Sequence, residues 1–447
     1  MSTVTACFAK SPLEDWIAQR LAVRESSFTR ATLEQHQLKA LQETIAWTRK
    51  RSSFYAQRMS GLPAGFLRSL EDVALLPLTS AADLAENTPG FVCVSQDEIS
   101  RIVTLQSSGT SGAPKRIFFT AADQELALDF FAHGIAGVAS SGDRMLIALP
   151  CEREGSVGYQ LAKGITRAGV IPIAHGLSVD PAETLAHIER EKATCIIGLP
   201  VQMLALALND GKAAANAMRR LRSIVLCSDH VPQSLVRTLK ERSNAEIFEH
   251  YGMTEMGLGG GVDCEAHMGY HLREADLYFE IVDPLTGEVL PDGDLGEVVF
   301  TTLNRTGMPL IRYRTGDLAR FLPGSCGCGA ILKRLERVRG RIDGGVKIGR
   351  DGVLDISMLD EALFAVPGLL EFTAAYFPGA PPRLELAVYA PRIASSRFHG
   401  TLLNALQSLP LICDAASGGE VELTVIRAPE PFPATGAKRK IEVRETR

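Results

Sequence analysis

The sequence lacks any apolar run long enough to cross a lipid bilayer. Its longest apolar stretches, such as Met145–Pro150 and Thr194–Val201, fall far short of the roughly 20 residues that a membrane-spanning helix needs. The first ten residues also lack the basic start and the apolar run of a secretory signal. We therefore expect a protein with neither a membrane segment nor a signal peptide.

An excess of positive charge is also missing. Lysine and arginine number 47 and aspartate and glutamate number 52, so the net charge is −5. This balance argues against nucleic-acid binding through bulk charge, although it leaves room for a local basic pocket. The nine cysteines are odd in number and scattered, which fits a reducing compartment better than a disulfide framework. The cytoplasm is therefore the expected location.

The chain has 447 residues, a length that suggests two to four domains. Between residues 101 and 251, short β-rich runs alternate with helical stretches, which predicts βαβ units and a mostly parallel sheet. A β-rich, antiparallel region is expected next, with strands at Tyr278–Val282, Gly296–Thr301 and Ala319–Leu322. We expect an α/β fold with a large N-terminal domain, residues 1–340, and a small mobile α+β C-terminal domain, residues 344–447.

A segment rich in hydroxyl groups and glycine follows the first strand of the alternating region. It contains Ser107, Ser108, Gly109, Thr110, Ser111 and Gly112, and Lys115 lies three residues further on. Glycines let the backbone approach an anion closely, while free N–H groups and hydroxyls donate hydrogen bonds to it. The spacing differs from that of a Walker A loop and from that of a dinucleotide-binding motif. The segment predicts a polyphosphate site, with a flexible Ser/Gly loop as the alternative.

This segment resembles the phosphate loop of the acyl-adenylate-forming (AMP-binding) enzymes, which include acyl- and aryl-CoA ligases, luciferases and peptide-synthetase adenylation domains. Motifs similar to theirs follow in the same order: Tyr251-Gly-Met-Thr-Glu255, Tyr313-Arg-Thr-Gly-Asp317, Gly340-Arg-Ile-Asp343 and Thr435-Gly-Ala-Lys438. More narrowly, Ser52–Tyr55, Leu76–Thr79, Pro309–Arg314 and Cys326–Gly329 resemble the phenylacetate–CoA ligase branch. The resemblance covers nearly the whole chain.

The resemblance implies a nucleotide site in which the hydroxyl-rich loop holds the β- and γ-phosphates of ATP. Tyr251, followed by Gly252, would stack on adenine through its ring face. Thr254 would touch the α-phosphate, and Glu255 would coordinate Mg²⁺, a hard cation that prefers oxygen ligands. Asp317 would accept hydrogen bonds from both ribose hydroxyls.

Three further positions follow from the same resemblance. Ser228 and Asp229 stand where relatives often carry a G-[GA]-E segment against adenine, and we expect them to substitute for it. Arg341 and Asp343 match the hinge at which the small domain of the family swings between two half-reactions. Gly344 and Gly345 suit a position of that kind, with a plain glycine turn as the alternative.

The C-terminal lysine motif departs from the family pattern. Relatives have Gly-Lys, with the lysine bridging the α-phosphate and the acyl carboxylate, whereas here Ala437 follows the glycine and Lys438-Arg439-Lys440 come next. We assign the catalytic role to Lys438, with Lys440 in a shifted register as the alternative. A solvated basic tail without this role is the third reading.

Cys264, His271, Cys326 and Cys328 form a separate candidate site. Three thiolates and one imidazole are a standard tetrahedral shell for structural Zn²⁺, but this spacing is looser than that of a zinc finger. Free buried cysteines beside an unrelated histidine are the alternative from spacing alone. The phenylacetate–CoA ligase branch carries a similar pattern and thereby favours zinc, with His267 as an alternative ligand.

The implied activity is ATP-dependent conversion of a carboxylic acid, aryl or arylacetic, to an acyl-adenylate, followed by thioester formation with coenzyme A. Loading of a carrier protein and a catalytically silent nucleotide-binding protein are the rival interpretations. ATP or AMP, Mg²⁺, coenzyme A and structural Zn²⁺ are the expected cofactors and co-substrates. The sequence leaves the acid and the oligomeric state open, and a homodimer is one option.

Overall fold

The computed structural model describes residues 8–105, 114–349, 352–433 and 438–444. Their α-helices are α1 (Pro12–Arg20), α2 (Arg30–Arg51), α3 (Ser53–Arg58), α4 (Ala81–Glu86), α5 (Thr88–Phe91), α6 (Ala121–Gly134), α7 (Val157–Arg167), α8 (Pro181–Glu191), α9 (Pro200–Ala207), α10 (Lys212–Arg220), α11 (Gln233–Arg242), α12 (Ile356–Leu363), α13 (Ser395–Gln407) and α14 (Pro410–Ser417). Across these described stretches, no helix has both the length and the apolar character needed to cross a membrane.

The strands run through the whole described chain. They are β1 (Ile99–Leu105), β2 (Lys115–Thr120), β3 (Arg144–Ala148), β4 (Ile171–Ala174), β5 (Cys195–Gly198), β6 (Ser223–Leu226), β7 (Glu246–Tyr251), β8 (Gly261–Val262), β9 (Tyr270–Leu272), β10 (Leu277–Val282), β11 (Gly296–Thr302), β12 (Tyr313–Ala319), β13 (Arg334–Leu335), β14 (Gly340–Arg341), β15 (Val346–Ile348), β16 (Gly352–Leu354), β17 (Glu371–Phe377), β18 (Arg383–Tyr389), β19 (Glu422–Arg427) and β20 (Ile441–Val443).

The chain divides into two compact units, the first made of Met1–Ser141, Lys163–Gly169 and Phe248–Arg337. Its β1–β2 hairpin, its β10–β11–β12 sheet and the pairs β7–β8, β8–β9 and β9–β13 are all antiparallel. The turn after β10 is set by Asp283, whose carboxylate accepts backbone N–H groups two and three residues later at 2.8 Å. The β-rich region expected from the sequence lies in this unit.

The second unit is made of Gly142–Ala162, Val170–Ile247 and Val338–Arg447. Strands β4, β3, β5 and β6 pair in parallel in that order. Helix α8 begins between two of these strands because Pro181 occupies its first turn and the Asp180 side chain accepts the Ala182 N–H at 2.8 Å. The parallel sheet confirms the expected α/β fold class.

A mixed four-stranded sheet belongs to the second unit as well. Strands β17 and β18 are antiparallel, β20 runs parallel to β17, and β19 runs parallel to β18. Buried apolar residues from this sheet, from α12 and from one face of the parallel sheet belong to one core. The division into residues 1–340 and 344–447 remains a prediction.

Candidate active site

A buried ion pair between Lys115 and Glu255 is the centre of the candidate site in the first unit. Lys115 Nζ lies 2.7 Å from Glu255 Oε1, and the glutamate side chain is only 3% exposed. The Tyr313 hydroxyl donates to the same carboxylate oxygen at 3.3 Å and accepts from Lys115 at 3.3 Å. A buried carboxylate requires such compensation, and Lys115 supplies the charge.

Local backbone geometry places Glu255 directly after strand β7. Gly252 has no room for a side chain, because a Cβ there would lie 2.2 Å from the Leu258 carbonyl oxygen. Thr254 opens the short 3₁₀ turn Thr254–Met256, and Gly257 ends it with a positive φ of 76°. The two glycines allow the chain to turn tightly and present the Glu255 carboxylate.

Arg305 holds the main chain of Glu255 and was not anticipated from the sequence. Its Nη1 donates to the Glu255 carbonyl oxygen at 2.7 Å, and its guanidinium carbon lies 4.3 Å from the centre of the Phe119 ring. Burial lowers the pKa of Arg305 to about 10. Glu255 is thus fixed through both its carbonyl and its carboxylate. Arg305 stands outside the recognised motifs, so no sequence signal marked it.

Tyr251 and Asp317, predicted to bind adenine and ribose, contact each other. The Tyr251 hydroxyl donates to Asp317 Oδ2 at 3.1 Å, and both side chains are buried. The Tyr251 ring stacks on Tyr270 at 5.8 Å between ring centres. Along β12, Tyr313, Thr315 and Asp317 are buried and alternate with partly exposed residues. Strand β12 therefore connects the ion pair to the Tyr251–Asp317 pair.

The remaining phosphate-loop residues, Ser107 to Gly112, lie outside the described residues, as does Ala437. In the second unit, Ser228 adopts a left-handed conformation with φ of 71°. Asp229 Oδ1 accepts the backbone N–H of His230 at 3.0 Å, and burial raises the pKa of Asp229. The roles given to Ser228 and Asp229 remain predictions.

Two further predicted residues also lie in the second unit. Arg341 Nε lies 3.5 Å from Asp343 Oδ1, and the backbone N–H of Arg341 donates to Asp355 at 3.3 Å. Lys438 is exposed and precedes strand β20. Neither the hinge role of Arg341 nor the catalytic role of Lys438 is tested by these contacts, so both remain predictions.

The predicted cysteine–histidine set comes together in the first unit. The ligand atoms of Cys264, His271, Cys326 and Cys328 all lie within 4.8 Å of one another, and all four residues are buried. Cys264 Sγ is 3.7 Å from Cys326 Sγ, and Cys328 Sγ is 3.3 Å from His271 Nε2. The alternative ligand, His267, instead contacts Asp263 Oδ2 through Nδ1 at 2.6 Å.

Strand pairing explains how residues so far apart in sequence form this cluster. His271 on β9 pairs with Arg334 on β13, so the segment after Cys328 returns beside the histidine. Phe8 and Ala266 pack against the cysteines and cover them with apolar surface. A closed set of three sulfurs and one imidazole is a shell suited to a structural metal rather than to catalysis.

An α/β scaffold that carries this motif set defines the class of adenylate-forming ligases. The family model described as "AMP-binding enzyme" matches residues 70–305. The chain is 32% identical over 327 residues to phenylacetate–coenzyme A ligase of Pseudomonas putida, covering 70% of this chain and 71% of that protein. It is 30% identical over 354 residues to the same-named ligase of Thermus thermophilus, covering 75% and 77%. The chain therefore belongs to the AMP-binding enzyme family.

Within that family the chain is phenylacetate–CoA ligase-like, an AMP-forming acid–thiol ligase. Among solved structures, 2-hydroxyisobutyryl-CoA ligase in its postadenylation state, bound to R3-HIB-AMP, has a TM-score of 0.78. The match covers 94% of this chain and 91% of that one at 22% identity. This likeness supports the fold.

Proposed function

We propose that this protein activates an aryl or arylacetic acid with ATP, forming an acyl-adenylate and pyrophosphate, and then transfers the acyl group to coenzyme A with release of AMP. The observation that carries this proposal is the Lys115–Glu255 pair, joined through β12 to Tyr251 and Asp317. The acid and the acceptor are supported by the phenylacetate–coenzyme A ligases to which the chain is similar.

The chemistry makes modest demands on the protein. The substrate carboxylate is already a nucleophile, so attack on the α-phosphorus needs no general base. It needs orientation of the two reactants and neutralisation of the phosphate charge. Lys115 supplies a positive charge at the end of the phosphate loop, and Lys438 is proposed to supply another at the α-phosphate. Asp317 and Tyr251 hold the nucleoside, and Thr254 contacts the α-phosphate.

Glu255 is the residue that would hold Mg²⁺. A carboxylate oxygen suits this hard cation, and the Glu255 carboxylate already binds one positively charged group, the Lys115 ammonium. When bound, Mg²⁺ neutralises phosphate charge. Arg305 keeps the Glu255 main chain in place throughout.

We further propose that Cys264, His271, Cys326 and Cys328 bind one structural Zn²⁺. The four buried residues supply three sulfurs and one imidazole nitrogen, which is the number and the type of ligands in a tetrahedral zinc site. Bound zinc would tie the loop after Glu255 to the loop after Asp317, which supports the site without taking part in the reaction. The proposed location is the cytoplasm, where cysteines stay reduced.

The test is ATP–pyrophosphate exchange with a panel of carboxylic acids, followed by addition of coenzyme A or a carrier protein. Exchange with aryl or arylacetic acids and release of AMP on adding coenzyme A support the proposal. Acyl transfer only to a carrier protein identifies the rival acceptor. Absence of exchange with every acid contradicts the proposal and favours a silent nucleotide-binding protein. Gel filtration in the same preparation decides between a monomer and a homodimer.

A further inference from the structure

The basic tail segment Lys438–Lys440 is anchored through its central residue. Arg439 Nη1 donates to Asp360 Oδ1 at 2.5 Å, and Nη2 donates to the Phe372 carbonyl oxygen at 3.0 Å. The guanidinium carbon lies 4.3 Å from the centre of the Phe372 ring and 5.1 Å from that of Phe364. Asp360, on α12, is fully buried. Arg439 is thus held by charge, hydrogen bonds and ring stacking together.

A second carboxylate interacts with the same residue through charge. Asp229, just after β6 in the same unit, is near enough for the positive charge of Arg439 to lower its pKa. Burial raises the pKa of both Asp229 and Asp360, and the Arg439 charge opposes both shifts. The residues that follow Asp229 and Asp360 also contact each other: His230 Nε2 lies 3.2 Å from Glu361 Oε1. The His230–Glu361 contact therefore links the segment after β6 to α12, the helix on which Asp360 holds Arg439.

The anchored arginine determines where the two lysines point. Lys438 and Lys440 are exposed while Arg439 between them is partly buried, as in an extended chain leading into β20. Strand β20 continues in parallel register with β17, where Ile441 lies opposite Ala374. Successive side chains of an extended chain point to opposite faces, so an inward Arg439 places both lysines on the other face.

We propose that Arg439 is a positioning residue for adenylation, which fixes the lysine-bearing face of the tail through its contacts with Asp360 and the Phe372 carbonyl oxygen. The proposal rests on the proposed function, because it takes the step-one lysine to be Lys438 or Lys440. Displacement of a catalytic group by about 1 Å is enough to cost roughly 100-fold in rate.

The test compares ATP–pyrophosphate exchange by the wild type with that of Arg439→Gln and Arg439→Lys. Arg439→Gln is expected to lower kcat about 100-fold with an unchanged KM for the acid. Arg439→Lys retains the charge but loses the planar pair of donors, so we expect an intermediate rate. Arg444→Gln is the matched control, since it removes an exposed arginine of the same tail that pairs with the exposed Glu442, and it is expected to keep wild-type kinetics.

Two measurements separate positioning from a general loss of structure. Trypsin is expected to cleave after Lys438 and Lys440 faster in Arg439→Gln than in Arg444→Gln, because the released tail becomes accessible. Acyl transfer from supplied acyl-adenylate to coenzyme A is expected to remain at the wild-type rate. Exchange by Arg439→Gln at the wild-type rate overturns the proposal, and so does equal loss of exchange and transfer. Absence of exchange in the wild type overturns the proposed function instead, and the tryptic comparison then decides alone whether Arg439 anchors the tail.

Discussion

Replacing Lys115 by methionine removes the charge that compensates a buried glutamate. The two side chains are 16% and 3% exposed, and their charged atoms are 2.7 Å apart. At an effective dielectric constant of about 20 the attraction is about 6 kcal/mol, much of which is offset by the cost of removing both charges from water. Loss of one partner of a buried pair costs about 3–5 kcal/mol. Because Tyr313 still donates to Glu255, we expect a loss near 3 kcal/mol.

Tryptophan fluorescence during urea unfolding measures this loss of stability in the unit that contains the ion pair. The two tryptophans of the chain, Trp16 and Trp47, both lie in the same unit as the ion pair. The matched control is Lys333→Met, which removes a more exposed pair with Asp292 at 3.4 Å and is expected to cost about 0–1 kcal/mol.

The double variant Lys115→Met/Glu255→Gln separates the pair from the rest of the lysine side chain. With both charges gone, the buried position no longer holds an uncompensated ion, so most of the lost stability should return. A Lys115→Met protein as stable as Lys333→Met would refute the reasoning. So would a double variant no more stable than Lys115→Met alone.

Three further predictions concern single positions. Gly252→Ala places a methyl group against a backbone carbonyl oxygen, so we expect a loss of about 1–3 kcal/mol and much slower pyrophosphate exchange, whereas Gly400→Ala, with open space around it, should retain exchange. Cys328→Ser should lower the zinc content of the purified protein from one per chain to none, measured by elemental analysis, while Cys413→Ser, outside the cluster, should keep it. Burial lowers the pKa of His250 to about 4, so the unfolded chain takes up a proton near pH 6.5 and the folded chain only near pH 4. Between pH 7 and pH 4 the wild type should therefore lose up to about 3 kcal/mol more than His250→Leu in urea unfolding, and equal losses would contradict a histidine that stays neutral in the folded protein.

The motif-based part of the site was accessible from the sequence because its residues determine both chemistry and backbone. Gly252 leaves no space for a Cβ, and Glu255 follows it at a fixed distance along a tight turn. Tyr251 and Asp317 were predicted to share one nucleoside, and they are in hydrogen-bond contact. The four zinc-ligand candidates were predicted as a set, and they lie together.

The partners of these residues depend on tertiary pairing that spacing does not encode. Lys115 was predicted to contact phosphate, but its contact with Glu255 requires the β1–β2 hairpin, whose second strand was not expected. Arg305 carries no motif and reaches the Glu255 carbonyl oxygen only through the fold.

One strand was placed wrongly along the sequence. The expectation was Ala319–Leu322, whereas β12 runs Tyr313–Ala319. Gly316, with φ of 75°, is unfavourable in a strand and therefore hides the strand when only the sequence is read. The odd-numbered residues of β12 nevertheless face inward. The Tyr-x-Thr-Gly-Asp motif was treated as chemistry alone, but its alternation is also that of a half-buried strand.

The closeness of two thiols has a consequence for handling the protein. The sulfur atoms of Cys264 and Cys326 would have to approach by only about 1.7 Å to reach the length of a covalent sulfur–sulfur bond. If a chelator removes a metal from these two cysteines and the protein is then stored in air, the two sulfur atoms can be oxidised. A disulfide between Cys264 and Cys326 would join the loops that follow Glu255 and Asp317. Preparations kept without reductant are therefore expected to accumulate this disulfide.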